Sequence, residues 1–86
     1  MERLYVVSFS TDTPLEHLSR ALDELRRIGC RLAHLSVGPG SRIDQPCGST
    51  VRMAFHPAGS LSGPTVLNRI ARMPDIRAFR GGPARP

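Results

Sequence analysis

Residues 13–29, TPLEHLSRALDELRRIG, are the stretch that decides the fold, because several signals in it predict the same amphipathic helix. Thr13 and Glu16 have the spacing of a capping box, in which each side chain bonds the backbone amide of the other residue. Pro14 fits the first helical position, where its missing N–H costs nothing. Gly29 is placed to end the helix in a left-handed turn. Leucines at three- and four-residue spacing predict one apolar stripe. These leucines are Leu15, Leu18, Leu22 and Leu25.

Length and composition predict one small domain. The 86 residues leave no room for two, so we expect a single domain over residues 1–80 and a disordered tail over residues 81–86, GGPARP. A domain of this size buries only about 60–65% of its unfolded surface, so pairing with another chain would add stability. The net charge is +5, and its arginines are scattered rather than clustered, so charge alone does not indicate a nucleic-acid site.

The chain carries no signal for export or for a membrane. Cys30 and Cys47 lack the C-x-x-C spacing and are expected to be reduced thiols. The first residues, MERLYVVSF, lack the long apolar core of a signal peptide. No run approaches the roughly 18–20 apolar residues of a membrane span. We therefore expect a cytoplasmic protein with no membrane contact.

Three segments before residue 60 predict strands. They are residues 4–9 (LYVVSF), 30–37 (CRLAHLSV) and 49–56 (STVRMAFH). The first is rich in β-branched and aromatic residues, and the third alternates strictly, as a half-buried strand does. The second carries apolar residues on both faces, so we expect it at the centre of the sheet or covered on both sides. Residues 38–48 are rich in glycine and proline and predict a long irregular connection.

A second helix and a last strand complete the order. PTVLNRIARM begins at Pro64 with Ser62 or Gly63 as its cap, and residues 76–80, IRAFR, predict a short strand. The order β-α-β-β-α-β predicts the α+β class and the ferredoxin-like plait. In that plait, a four-stranded antiparallel sheet carries both helices on one face.

Apolar residues of the predicted strands exceed what one layer of helices obviously needs. A second copy of the chain would bury the remainder, and the alternative is that all of them belong to the core. The residues concerned are Tyr5, Val7, Phe9, Leu35, Val51 and Phe55.

No group of residues has the spacing of a catalytic or metal site. A zinc site needs three or four ligands, usually closely paired, so His17, His34 and His56 are expected to be ordinary surface or sheet-face residues. A nucleophilic enzyme needs a base beside its nucleophile, and Cys47 has no histidine near it in sequence. We therefore expect no enzymatic activity, no metal and no cofactor.

RNA binding is an alternative that the first strand raises. LYVVSF resembles the shorter of the two RNA-recognition-motif signatures, in which an aromatic residue such as Tyr5 stacks on a base. The segment STVRMAFHP supplies Arg52 and Phe55 but lacks the Gly-aromatic pattern of the longer signature. Core or dimer packing is therefore the favoured role of Tyr5, and nucleic acid is the less favoured partner.

The first strand, turn and first helix together resemble the ACT domain family. ACT domains are small βαββαβ regulatory modules that bind amino acids and pair through their sheets or helices. Asp12, Thr13 and Pro14 match the family's Asp-x-Pro, and Leu15 stands where the family has glycine. The resemblance implies an effector site at a dimer interface, where amides at the helix start bind a carboxylate. That site comprises Thr11, Asp12, Thr13, Pro14 and Leu15.

Length and segment order are most similar to the short small subunits of acetolactate synthase. The similar pieces are TPLEHLSRALDELRRIGCRLAHLSV and PTVLNRIARMPDIRAF. The resemblance implies a non-catalytic regulatory subunit that forms a homodimer and binds and activates the catalytic subunit. It also implies feedback from a branched-chain amino acid. The alternatives are a stand-alone amino-acid sensor with another target and the RNA-binding module.

Overall fold

The computed structural model describes residues 4–39, 48–59 and 61–84, which form four strands and two helices. The elements in chain order are β1 (Tyr5–Thr11), α1 (Pro14–Ile28), β2 (Arg31–Pro39), β3 (Ser49–His56), α2 (Ser62–Ala71) and β4 (Ile76–Pro83). The strands make one sheet of order β2-β3-β1-β4 in which all neighbours are antiparallel. The predicted ferredoxin-like βαββαβ fold is confirmed.

The two ends of α1 differ in how well the sequence predicted them. Gly29 ends the helix with a φ of 90°, and its amide donates to the carbonyls of Leu25 and Arg26 at 3.0 and 3.2 Å, as predicted. The capping box is wrong, because Thr13 makes no side-chain capping bond. Its hydroxyl instead lies 3.3 Å from Nδ1 of His17, one turn into the helix.

The buried side of α1 is also displaced from the predicted leucine stripe. His17, Ala21 and Leu25 are its buried residues, at four-residue spacing, whereas Leu15 is 79% exposed. Leu18 and Leu22 flank this line and are partly buried. We attribute the displacement to Ala21, which has no accessible surface and whose small side chain lets the helix lie close to the sheet.

The core lies between the helices and one face of the sheet. Tyr5, Val7 and Phe9 of β1 alternate into it, and the rings of Tyr5 and Phe55 are stacked with their centroids 5.8 Å apart. The remaining fully buried apolar residues of the cluster are Ala21, Leu25, Val51, Met53, Val66 and Ile70. The sequence suggested that six apolar strand residues were more than one layer of helices needs to cover. Five of the six belong to this core. Leu35 is only partly buried.

Strand β2 lies at an edge of the sheet, so the prediction of a central or doubly covered position is wrong. The pairing with β3 shifts register between Leu32 and His34, which pair with Phe55 and Ala54 respectively. Ala33 is the extra residue of this bulge. The bulge places Leu32 on the same side as Leu35 and Val37, so these large apolar residues share one face of the strand rather than both.

Strand β4 is longer than predicted, because it pairs with β1 from Tyr5 to Thr11, with a register shift between Ser8 and Ser10. Tyr5 pairs with Pro83, and the amide of Ala84 donates to the carbonyl of Leu4 at 2.7 Å. Residues 81–83, predicted to begin a disordered tail, thus belong to the strand. Helix α2 begins at Ser62 rather than at the predicted Pro64. Most of the predicted irregular connection, residues 40–47, lies outside the described residues.

Candidate functional site

The five predicted effector-site residues lie together where β1 ends and α1 begins. Thr11 is the last residue of β1, Asp12 and Thr13 form the connection, and Pro14 and Leu15 open the helix. The fold brings the loop between α2 and β4 to the same end of the sheet, because β4 starts opposite the end of β1, with Thr11 paired to Ile76. The start of β3 also lies there, since Thr11 pairs with Ser49.

His17 ties this end of the molecule together, and it was predicted to be an ordinary surface or sheet-face residue. It is 3% exposed, with Nε2 lying 2.7 Å from the carbonyl oxygen of Pro74. A carbonyl can only accept, so Nε2 carries the proton and donates. Nδ1 is then free to accept from the hydroxyl of Thr11, 2.5 Å away. The histidine therefore joins β1, α1 and the α2–β4 loop.

Thr11 does not offer its hydroxyl to a ligand. Its side chain is fully buried, and besides donating to His17 its Oγ1 accepts the amide of Thr13 at 3.0 Å. These bonds hold the connection between β1 and α1 in one shape. Thr11 thus positions the predicted site, and it does not present its hydroxyl to solvent.

Asp12 is held by Arg77 of β4. The two guanidinium nitrogens donate to the two carboxylate oxygens, Nη2 to Oδ1 at 3.0 Å and Nη1 to Oδ2 at 3.3 Å. The hydrogen bonds from Arg77, with its positive charge as the second cause, hold the pKa of Asp12 below its ordinary value. Gly48 packs beside this pair: a Cβ there would lie 3.0 Å from Nη2 of Arg77 and 3.1 Å from Oδ1 of Asp12.

Leu15 projects from the first turn of α1 into solvent. It is 79% exposed, the highest value among the large apolar side chains of the described residues. The adjacent amides receive no cap from Thr13, and Pro14 has no N–H, so Leu15 and Glu16 supply the first donors of the helix. A ligand carboxylate could accept from these two amides, with the side chain of Leu15 directly beside it.

The side of the sheet away from the helices, here called the open face, carries none of the chain's Phe and Tyr rings. Tyr5, Phe9 and Phe55 are buried on the helix side, and Phe79 packs against the same core. The stacking role that the RNA-recognition resemblance gave to Tyr5 is therefore wrong. Recognition of bases by stacking on Phe or Tyr rings of the sheet, as in that motif, has no such ring available on the open face.

A second uncovered region is the helix side of β2. Leu32, Leu35 and Val37 face the layer that contains the helices, but Leu32 is 43% exposed and Val37 is 44% exposed. Leu35 is partly buried against the core. The helices thus leave an exposed apolar margin, formed by Leu32 and Val37, along the edge strand.

Within the part of the chain that the structure describes, no three His, Cys, Asp or Glu side chains are grouped so that they could hold a metal ion. The described helices include none that is long and apolar enough to cross a membrane. Cys30 is a partly buried free thiol, and Cys47 lies outside the described residues.

Comparisons with known proteins agree on the fold. No protein-family model and no curated protein matches the sequence. Among solved structures, the C-terminal domain of the MgtC protein from Mycobacterium tuberculosis superposes with a TM-score of 0.76 and 10% identity, covering 96% of this chain and 88% of that one. The ACT domain of GTP pyrophosphokinase from Chlorobium tepidum superposes with a TM-score of 0.69 and 4% identity, covering 95% of this chain and 100% of that one. The protein thus has an ACT-like fold.

Proposed function

We propose that the chain is a non-catalytic regulatory subunit that acts by binding other chains. In its most specific form the proposal is the regulatory subunit of acetolactate synthase, acting as a homodimer and responding to a branched-chain amino acid. The ACT-like fold supports a regulatory role. The observation that carries the proposal is the apolar margin of β2, which a partner chain would cover.

Strand β2 has the features of a pairing edge. It is nine residues long and lies at the end of the sheet, so the backbone groups on its outer side have none of the described strands beside them. Its charged residue, Arg31, lies at one end and Pro39 at the other, and between them only the titratable His34 could carry a charge that discourages pairing. A second β2 running antiparallel would extend the sheet and bring the two sets of Leu32 and Val37 towards each other. Such pairing would bury apolar surface that this small domain leaves in water.

The test is the oligomeric state of a doubly charged variant. Leu32→Glu with Val37→Glu should abolish a dimer that sedimentation detects for the parent protein at tens of micromolar. The matched control is Leu61→Glu, because Leu61 is 78% exposed but belongs to the start of α2 and not to β2. The control should remain dimeric. A parent protein that is monomeric, or a double variant that is still dimeric, would contradict pairing through β2.

The effector part of the proposal rests on the start of α1. Two uncapped amides next to exposed Leu15 suit the carboxylate and the apolar side chain of a branched amino acid. In a thermal-shift panel of the standard amino acids, a ligand that binds only the folded state adds about 2.7 kcal/mol at a hundredfold excess over Kd. We expect a shift with a branched-chain amino acid, and Leu15→Asp should remove it by placing a negative charge against the carboxylate. Leu61→Asp is the control. No shift with any amino acid would refute the effector site while leaving the dimer untouched.

The partner is tested by co-purification with a catalytic acetolactate synthase chain. We expect the parent protein to bind it and raise its activity. An amino-acid shift without such binding would instead support the stand-alone sensor with another target.

A further inference from the structure

The open face carries a row of polar side chains that crosses all four strands. The register pairs Ser36 with Arg52, Arg52 with Ser8, and Ser8 with Arg80, so these four residues lie side by side across β2, β3, β1 and β4. Both arginines are exposed. Neighbouring strands are about 4.8 Å apart, so the Cα atoms of Arg52 and Arg80 are about 10 Å apart, with Ser8 between them. Two long side chains at that separation can converge on one small group.

Among the described residues, these two arginines have no acidic partner. Within residues 4–39, 48–59 and 61–84, neither Arg52 nor Arg80 makes an ion pair or hydrogen bond through its side chain, whereas Arg77 in the next row is held by Asp12. None of the four strands contains an aspartate or glutamate. The middle of the open face is therefore a local concentration of uncompensated positive charge.

An apolar floor adjoins the cationic row. The next row pairs His34 with Ala54, Ala54 with Val6, and Val6 with Gly82. At Gly82 no heavy atom lies within 4 Å of where a Cβ would be, so the surface there is flat and open. Both rows line one cleft of about 590 Å³, which is within the usual range of small-molecule sites.

We propose that this cleft binds a small phosphate ester of mononucleotide size. The phosphate lies between the guanidinium groups of Arg52 and Arg80 and accepts from the hydroxyl of Ser8, since paired arginines match the geometry of phosphate oxygens. A flat, apolar part of the ligand covers Val6 and Gly82. The site is independent of the proposed regulatory function, because it uses neither β2's apolar side nor the start of α1.

The same observations argue against two other occupants. A nucleic-acid strand needs a track of cations and rings for its bases, and the open face offers two uncompensated arginines and, beside the imidazole of His34, no Phe or Tyr ring. A second copy of the chain packed face to face would oppose Arg52 and Arg80 to their own equivalents with no carboxylate on the strands between them. One phosphate group matches the number and placement of the charges.

The experiment is an amide-resolved NMR titration of the full chain with adenosine monophosphate, inorganic phosphate, adenosine and a single-stranded RNA oligonucleotide. We expect adenosine monophosphate to shift the amides of Ser8, Arg52 and Arg80 in a saturable way, and to bind more tightly than phosphate or adenosine alone. Arg52→Gln and Arg80→Gln should each weaken it at least about tenfold, because each removes a charge-assisted contact. Both side chains are exposed, so the variants should remain folded.

The matched control is Arg20→Gln, since Arg20 is an exposed arginine of α1 on the opposite side of the molecule. Its affinity for adenosine monophosphate should equal that of the parent. Equal weakening by Arg20→Gln, or no saturable shift at millimolar concentration, would overturn the site. RNA binding that tightens with oligonucleotide length and exceeds that of the monophosphate would replace the small ligand with nucleic acid. Loss of the dimer in the β2 variant has no bearing on these outcomes.

Discussion

The two faces of the sheet are built from alternate residues of the same strands, yet they have opposite chemistry. On β1, Tyr5, Val7 and Phe9 face the helices and are almost fully buried, while Val6 and Ser8 on the open face retain contact with solvent. The covered face holds the aromatic rings, and the open face holds arginines and serines. The difference teaches that a motif such as LYVVSF has no functional meaning until its face is known. The aromatic residue that resembled an RNA-stacking platform is part of the core.

The largest contrast between the faces should appear when a ring is removed. Phe55→Ala deletes a fully buried side chain stacked on Tyr5, and we expect a loss of about 3–5 kcal/mol in the free energy of unfolding. The control on the open face is Ser8→Ala, for which we expect a change within about 0.5 kcal/mol. Urea unfolding followed by circular dichroism measures both. Similar losses for the two variants would mean that the open face is covered by something in solution.

Histidines on the two sides give a second contrast. His17→Ala leaves the carbonyl of Pro74 and the hydroxyl of Thr11 without their partner, so we expect a loss of about 2–3 kcal/mol. His34→Ala removes an exposed side chain from β2 and should change stability by less than about 0.5 kcal/mol. The free energies of unfolding of both variants at neutral pH provide the comparison. An unaffected His17→Ala variant would show that the three elements are held together by other contacts.

A third contrast compares the effect of adding one methyl group to a glycine on each side of the sheet. A Cβ on Gly63 would lie 2.4 Å from the ring of Tyr5, so Gly63→Ala must displace a packed aromatic side chain. We expect it to cost about 1–3 kcal/mol, as overpacking does. Gly82→Ala adds the same methyl group to the open face, where nothing lies within 4 Å. Thermal unfolding should show a clearly lower midpoint for the first variant only; equal midpoints would mean that Tyr5 moves freely.

The smallest effect concerns the ion pair between Asp12 and Arg77. Because the pKa of Asp12 is below its ordinary value of 3.8, the pair stabilises the fold above that value and stops doing so as the pH falls through the lowered pKa. Arg77→Gln should raise the pKa of Asp12 towards 3.8, measured by NMR titration of its carboxyl carbon. Arg80→Gln is the control and should leave that pKa unchanged. Equal pKa values in the parent and the Arg77 variant would refute the pairing in solution.

The element order could be read from the sequence because each signal was local. The proline at the start of α1 and the glycine at its end each act on the residues next to them. The strict alternation of β3 lies within a single strand. The position of β2 could not be read, because one extra residue at Ala33 changes which side chains share a face. An alternation pattern does not reveal a bulge.

The candidate site was predicted in part for the same reason. Residues 11–15 are contiguous, and a family resemblance could mark them. Their partners were missed because Pro74 is 57 positions from His17 and Arg77 is 65 positions from Asp12. The one local sign for His17 was its spacing of four from both Thr13 and Ala21, which places it on the buried line of α1. A polar residue at four-residue spacing from the buried residues of a helix, as His17 is, is expected to belong to the core.

The pairing of β1 with β4 has a consequence for how the protein is made. The first strand of the domain lies at the inside of the sheet, and one of its two neighbours is the last strand to be synthesised. Until the ribosome has released residues up to Pro83, β1 has one edge without a partner and the ring of Phe79 is missing from the core. The domain therefore cannot complete its fold progressively as it emerges. We expect the domain to fold only after β4 has left the ribosome, and until then the nascent chain exposes an apolar strand to chaperones.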